Sequence, residues 1–397
     1  MIKNYNFILN QQWEQIVGRK APPLRTFLTI QGFIQWFQKR FGLDLKNPFI
    51  TFCYFAKNGI SADNFMNIDE RKIIINIFIK EIQNNPNAIV NDIKSFRKNT
   101  EKLLKISRTL NNQDNVSIKF QRFCKAWADF AAAYTVPILL EKTLEIIVLS
   151  HYSNQNEAQA ELIQLISAGS ESKLFGIKTS DEINSNFFRN ADKPLINLLK
   201  ELFLFRDFRK EAYEKCWYEY SNNFFQKLGA ATNLKEYVQW AGADEIKARL
   251  SKPIPYAHFP TQCLVYTDGD IKVDYGKNFN FLKEKILNIK DTDEVRGQTA
   301  FPGIASGKVK IIMPNDDKHI RNGRVLVTKM TTPDFVPLIK KCAAIVTDEG
   351  GVTCHAAIVS REFKVPCVIG TKIATNIFKD GDLIEVNATE GVIKKLA

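Results

Sequence analysis

Aromatic residues divide this chain in two. All five tryptophans and 25 of the 29 phenylalanines precede Asp293. A region that rich in large rings needs long elements with wide gaps between them, which a bundle of helices supplies. The pattern agrees over residues 1 to about 250. Asp63 to Leu110 has few turn residues and reads as helical. Val116 to Tyr152 places Phe120, Phe123, Trp127, Phe130 and Ala131 at helical spacing, with Pro137 expected to kink or break the helix. Lys193 to Leu228 forms a third helical stretch through Leu198, Leu199, Leu202, Phe203 and Phe208.

The remainder is punctuated differently. Asp181 to Asn190 reads as a loop, and Pro253 to Pro260 interrupts the helical pattern. Cys263 to Tyr275, with Asp268-Gly269 at its centre, reads as a hairpin, and Phe281 to Ile289 as a short helix. The charged stretch Asp291 to Arg296 is the expected linker. Beyond it come short apolar runs separated by glycines: Gly307 to Met313, Arg324 to Thr328, Ala343 to Thr347, Pro366 to Ile369, Leu383 to Asn387 and Val392 to Leu396. Two helical segments interrupt them, one after Thr332-Pro333 and one from His355 to about Phe363. The expected architecture is α + α/β, with a mostly helical region over 1–290 and a compact α/β domain over 291–397.

Composition narrows the setting. No stretch approaches the roughly 18 uncharged apolar residues of a membrane span. Met1 to Asn10 has one lysine and no small-residue cleavage site, so no secretory leader is expected. Seven scattered cysteines read as reduced thiols, and a cytoplasmic location follows as the expectation. The net charge of +12 lies mostly before Asp293. No basic run is long enough for a nucleic-acid tail, so that excess reads as a lysine-rich surface and no nucleic-acid partner is expected.

The segment that can carry chemistry is Asp348-Glu349-Gly350-Gly351-Val352-Thr353-Cys354-His355-Ala356-Ala357-Ile358-Val359. It follows an apolar strand and opens a helix. Gly350 and Gly351 free the backbone to turn and approach a ligand. Thr353 and Cys354 precede the helix, so unsatisfied amides and the positive helix end gather near His355. A neutral imidazole there is a nucleophile for phosphorus. The same turn equally suits a helix-capping histidine. A metal site at Cys354 and His355 is disfavoured, because adjacent side chains rarely meet on one ion and no further ligand pair completes a set. Arg361 falls on roughly the opposite helix face from His355. His151, His258 and His319 have no comparable context.

These residues carry a resemblance. Thr331-Thr332-Pro333-Asp334, Ala344 through Glu362, and Val365-Pro366-Cys367-Val368-Ile369-Gly370 closely resemble the swivelling phosphohistidine domain of the PEP-utilising enzymes, which include phosphoenolpyruvate synthase, pyruvate phosphate dikinase and rifampicin phosphotransferase. Pro302 to Val309 looks like its entry strand, and Asp380 to Gly391 like its closing hairpin. The resemblance implies a swivelling β/β/α fold. It implies that the histidine at 355 takes phosphate from ATP or phosphoenolpyruvate and delivers it at a second site. Gly350, Gly351, Thr353 and Cys354 would support the phosphate.

Nothing in the first 290 residues looks like an ATP-grasp fold, and no phosphate-binding Gly-x-x-x-x-Gly-Lys-Ser/Thr loop occurs. The helical region more weakly resembles the acceptor-binding region of the rifampicin phosphotransferase type, through Phe205 to Glu211, Asp244-Glu245-Ile246 and Ile271 to Gly276. Arg206 and Arg209 are its candidate acceptor-binding residues, with a solvated helix face as the competing reading. The expected activity is therefore that of a phosphotransferase component. It would bind no cofactor itself, use Mg-ATP through an ATP-grasp subunit, and serve a small-molecule acceptor. The alternatives are a regulatory or docking protein read through its phosphohistidine domain, and a small-molecule binder.

Overall fold

The structure, a computed structural model, describes residues 6–19, 21–56, 59–110, 115–150, 193–252, 254, 262–268, 270–275, 279–287, 292–313, 319–351 and 354–396. After a short α1 (Asn6–Leu9), the chain lays down β1 (Trp13–Arg19), α2 (Pro23–Phe41), β2 (Phe49–Ala56) and β3 (Gly59–Asn67). Then come α3 (Ile68–Asn84), α4 (Pro86–Thr109), α5 (Val116–Ser150) and α6 (Lys193–Glu214). A π-helical turn (Lys215–Glu219), α7 (Asn222–Ala231) and α8 (Ala243–Ser251) follow. Next are the hairpin β4 (Gln262–Asp268) and β5 (Asp270–Asp274), and α9 (Phe279–Leu287).

The helices form as their sequences dictate. Asn67 caps α3 by accepting from the amides of Asp69 and Glu70, and those two carboxylates sit at the positive helix end. Pro23 opens α2, and Gly42 closes it in the left-handed conformation. Trp127 of α5 is fully buried and donates from Nε1 to Thr29 Oγ1 of α2 at 3.0 Å. It meets Trp217 at 4.7 Å between ring centroids and Tyr213 at 5.5 Å, so rings from three helical segments share one core. Gly32 lets α2 and α5 touch: a Cβ there would lie 2.2 Å from the Ala128 carbonyl and 2.7 Å from Ala131 Cβ. Gly32→Ala is therefore expected to lower stability by about 1–3 kcal/mol through overpacking, measured as a shifted urea midpoint.

Several expectations are corrected here. The first region contains a five-stranded antiparallel sheet, ordered β1-β3-β2-β4-β5. Asp63 lies in β3, and helix begins only at Ile68. Pro137 does not break α5, which runs on to Ser150. Its neighbours Val136, Leu139 and Leu140 are buried against the bundle, and that packing holds the helix across the missing hydrogen bond. The hairpin and the short helix fall where the sequence put them. Asp181–Asn190, His151, His258 and most of Pro253–Pro260 lie outside the described residues.

The last hundred residues form an eight-stranded mixed sheet. Its strands are β6 (Glu294–Arg296), β7 (Gln298–Phe301), β8 (Ile304–Ile311), β9 (Val325–Thr328), β10 (Ala344–Thr347), β11 (Cys367–Ile369), β12 (Leu383–Asn387) and β13 (Val392–Lys395). The order is β6-β13-β12-β8-β9-β10-β11-β7, with β8 to β11 parallel. The expected linker is thus partly strand: β6 pairs with β13 and buries Val295. Every residue of β9 and β10 is buried, as parallel strands covered on both faces require. Val325, Val327, Ala344 and Val346 face one core, while Leu326 and Ile345 face the other. The second core includes α10 (Val336–Ile339) and α11 (His355–Phe363); a last short helix, α12 (Ala374–Ile377), borders the first. The buried clusters of the first 287 residues share no member with those after Val295.

Candidate functional site

Parallel pairing of β9 and β10 continues past both strands. The amide of Asp348 donates to Thr328 O at 3.0 Å, and that of Glu349 to Lys329 O at 2.8 Å. This register carries Lys329, Met330 and Thr331 alongside the turn that leaves β10. Gly350 makes the turn at φ +123°, a conformation that L side chains rarely adopt; a Cβ there would also lie 2.8 Å from Cys354 Sγ. Gly351 accepts from the amide of Cys354 at 2.9 Å, and α11 begins at His355.

His355 meets Thr331 across this junction. Thr331 Oγ1 lies 2.8 Å from His355 Nδ1, and Thr331 itself is buried. Among the described residues Nε2 has no hydrogen-bond partner. Partial burial holds the imidazole below its ordinary range, with the exposed Asp334 carboxylate pulling weakly the other way. The ring is therefore neutral at pH 7. Nδ1 is engaged by a hydroxyl, and the tautomer decides which of the two donates.

The turn is pinned from below by Asp348. Its buried carboxylate accepts from Thr371 Oγ1 at 3.0 Å, from the Thr375 amide at 3.1 Å, and from Thr375 Oγ1. Burial raises its pKa against those hydrogen bonds. Ala356 and Ala357 pack inward and leave no bulk beside the ring.

Other sequence candidates fall differently. Thr353 lies outside the described residues. Cys354 is the N-cap residue of α11; burial pushes its thiol up against the pull of the Ala357 and Ala356 amides, so it stays a neutral thiol. Arg361 donates to Ala357 O within its own helix and is not brought to His355. Arg209 is 2% exposed, so it is no solvated face: Nη1 donates to Tyr134 O at 3.0 Å and Nη2 lies 3.7 Å from Glu141. Nothing is described of the Arg206 side chain. Thr331 is the partner that sequence reasoning missed. It lay inside the recognised run, but its role needs the β9–β10 register to appear.

A second feature borders the site. Lys329 Nζ ion-pairs with Asp63 and donates to Tyr54 OH at 2.9 Å, crossing to the five-stranded sheet. Lys283 Nζ of α9 holds the other Asp63 oxygen at 2.7 Å and sits 4.2 Å over the Tyr54 ring. Burial would raise the pKa of Asp63, but Lys329 and Lys283 outweigh it and hold the carboxylate ionised. Lys329 is held charged despite its burial by Asp63 and Tyr54. Burial and the Lys329 charge lower Lys283, so Lys283 is the easier of the two to deprotonate.

Residues 320–391 match the family model described as PEP-utilising enzyme, mobile domain. The probable phosphoenolpyruvate synthase of Archaeoglobus fulgidus is 56% identical over 100 residues, covering 25% of this chain and 13% of that protein. That of Staphylothermus marinus is 49% identical over 163 residues, covering 39% and 19%. An uncharacterised phosphotransferase of Bacillus subtilis, YvkC, is 34% identical over 182 residues, covering 45% and 21%. Residues 320–391 are thus similar to the PEP-utilising mobile domain, and the chain is similar to proteins named as phosphoenolpyruvate synthases and a phosphotransferase. The chain spans about a fifth or less of the length of these relatives. Among the described residues no helix is long and apolar enough to cross a membrane.

Proposed function

We propose that this chain carries a phosphoryl group on His355 Nε2, from ATP or phosphoenolpyruvate to a small-molecule acceptor held by the helical region. The observation that carries the reading is the tethered, neutral imidazole at the start of α11: Nδ1 is engaged by Thr331, and Nε2 has no partner among the described residues. With the proton on Nδ1 and donated to Thr331, the Nε2 lone pair attacks phosphorus. The N–P bond forms as the P–O bond to the leaving group breaks. Positive charge then develops on the ring, where Thr331 Oγ1 and the Asp334 carboxylate oppose it. Such transfer needs little from a protein beyond positioning and charge stabilisation.

The nucleotide is bound by an ATP-grasp module outside these 397 residues, on a partner chain, which supplies Mg-ATP. A domain boundary near residue 290 separates carrier from acceptor region. The clamp of Asp63, Lys329 and Lys283 holds the carrier against the five-stranded sheet and must open for the donor to be reached. The experiment is phosphoryl uptake with and without a candidate ATP-grasp partner. Uptake that needs the partner and is lost in His355→Ala supports the reading; labelling that survives the substitution overturns it.

The pH dependence has a definite sign. The folded pKa of His355 lies below the ordinary 6.5. Its stability contribution is complete above that value and is lost as pH falls toward the folded pKa, because the unfolded chain binds the proton more readily. Uptake should therefore stay flat from pH 8 to about 6.5 and decline only below. Initial rates across pH 5 to 8 check this, and an acid limb centred above 6.5 would contradict it.

A further inference from the structure

Among the described residues of the helical region, one buried charge has no ion-pair partner. Arg25, in the first turn of α2, is 1% exposed, and its Nε, Nη1 and Nη2 have no hydrogen-bond partner. Among the described residues no carboxylate lies within ion-pair distance. The other two arginines buried among the described residues are treated differently. Arg209 has Glu141 and a carbonyl, and Arg249 has Glu245 at 3.1 Å. Arg25 also sits at the positive end of a 19-residue helix whose N-cap, Pro22, offers no side-chain acceptor. A cation is misplaced there, and an unpaired buried charge is costly.

Three aromatic residues surround it. The guanidinium carbon lies 4.2 Å from the Tyr213 ring centroid, 5.2 Å from that of Tyr218 and 5.8 Å from that of Trp217. Ring faces attract a cation, and the Tyr218 hydroxyl reaches the guanidinium, but one phenol oxygen cannot satisfy five N–H groups. Nor does a phenolate neutralise it: burial keeps the Tyr213 and Tyr218 hydroxyls protonated despite Arg25, and Glu214, which both tyrosines feel, is exposed. Tyr213 is fixed by stacking on Tyr134 at 4.1 Å, and Trp217 by donating to Gln239 at 2.8 Å. Tyr218 is the wall that faces solvent, 37% exposed, and it rides on the π-helical turn Lys215–Glu219. Such turns recur at functional sites because they project side chains out of the regular helical register.

We propose that Arg25 anchors an oxyanion-binding site in the helical region, taking the carboxylate or phosphate of a small flat ligand between Tyr213 and Trp217, with Tyr218 closing over it. The planar guanidinium fork matches either group in two parallel hydrogen bonds. The site goes beyond the phosphotransfer reading and stands whether or not His355 carries phosphate.

The test is thermal unfolding and tryptophan fluorescence of the full chain, titrated at constant ionic strength with sodium benzoate and, separately, inorganic phosphate. At about ten times its Kd, a bound anion should raise the midpoint by roughly 2 °C. Benzoate acting alone identifies a carboxylate ligand, and phosphate acting alone a phosphate group. Arg25→Met should abolish the shift and, without anion, unfold at or above the wild-type midpoint, since it removes an unpaired buried charge. Arg25→Lys keeps the charge without the fork and should weaken binding by about tenfold. Tyr218→Ala should accelerate association with Arg25 intact. No shift with either anion in the wild type, or a wild-type shift that persists in Arg25→Met, overturns the site; an unchanged association rate in Tyr218→Ala overturns the cover.

Discussion

Replacing His355 with alanine is expected to reduce phosphoryl transfer through this chain at least ~10³-fold, to the rate without it. The group forms the covalent bond, so no neighbour can stand in. Thr331 has a hydroxyl and is buried beneath the ring, and the Cys354 thiol is held protonated by its surroundings. Folding should survive, because the ring is only partly buried and its one hydrogen bond among the described residues is to Thr331. Thr331→Val is the informative companion. It keeps the shape and removes the acceptor for Nδ1–H, so the tautomer is no longer fixed. A loss of about 10–100-fold is expected, by analogy with the loss of outer-shell partners of ligating histidines. The check is the rate of uptake in each variant beside a circular-dichroism spectrum, and Thr331→Val at the wild-type rate would remove Thr331 from the mechanism.

Asp63→Asn is expected to cost about 3–5 kcal/mol, because it strands Lys329 and Lys283 in a buried place without their carboxylate. Lys329→Met should cost less, since Lys283 still neutralises Asp63. The acid side has a definite sign as well. Asp63 is held below the ordinary carboxylate range, so its stabilisation is present above about pH 3.9 and fades as pH falls through the folded pKa. Urea midpoints of the two variants at pH 7 measure the difference. Equal midpoints for Asp63→Asn and wild type would mean that the clamp does not hold. In the phosphotransfer reading, Asp63→Asn also frees the carrier, so uptake per folded molecule should not fall with stability.

What the sequence made legible followed local rules. The Gly350-Gly351 pair, the strand before it and the helix after it are all local, and α11 spans the residues read as helical. The phosphohistidine-like strand runs were legible because each is short, apolar and bounded by glycine. The missing pieces were non-local. Thr331 stands 24 residues from His355 and meets it only through the parallel β9–β10 register. The β2–β3 hairpin was hidden inside a stretch rich in Phe and Ile, although Asn58-Gly59 is a turn signal between two apolar runs. Arg209 is a candidate acceptor-binding residue with a solvated face as the competing reading, because the pattern Arg-Asp-Phe-Arg-Lys is charged; its burial depends on α5 packing from 75 residues away. The linker contained a strand because Val295, between charged neighbours, had a partner strand at the other end of the domain. Charges near a linker indicate exposure, but not the absence of pairing.

The central claim is that His355 Nε2 bears the phosphoryl group. It is tested most directly by incubating the chain with γ- and β-labelled ATP and with labelled phosphoenolpyruvate, each with and without a candidate ATP-grasp partner, and mapping the label by peptide mass spectrometry at alkaline pH. The expected product is an acid-labile, base-stable phosphoramidate confined to the peptide containing His355, appearing only when the partner is present and absent from His355→Ala. An acid-stable label, or one on another residue, or one that persists in His355→Ala, would contradict it.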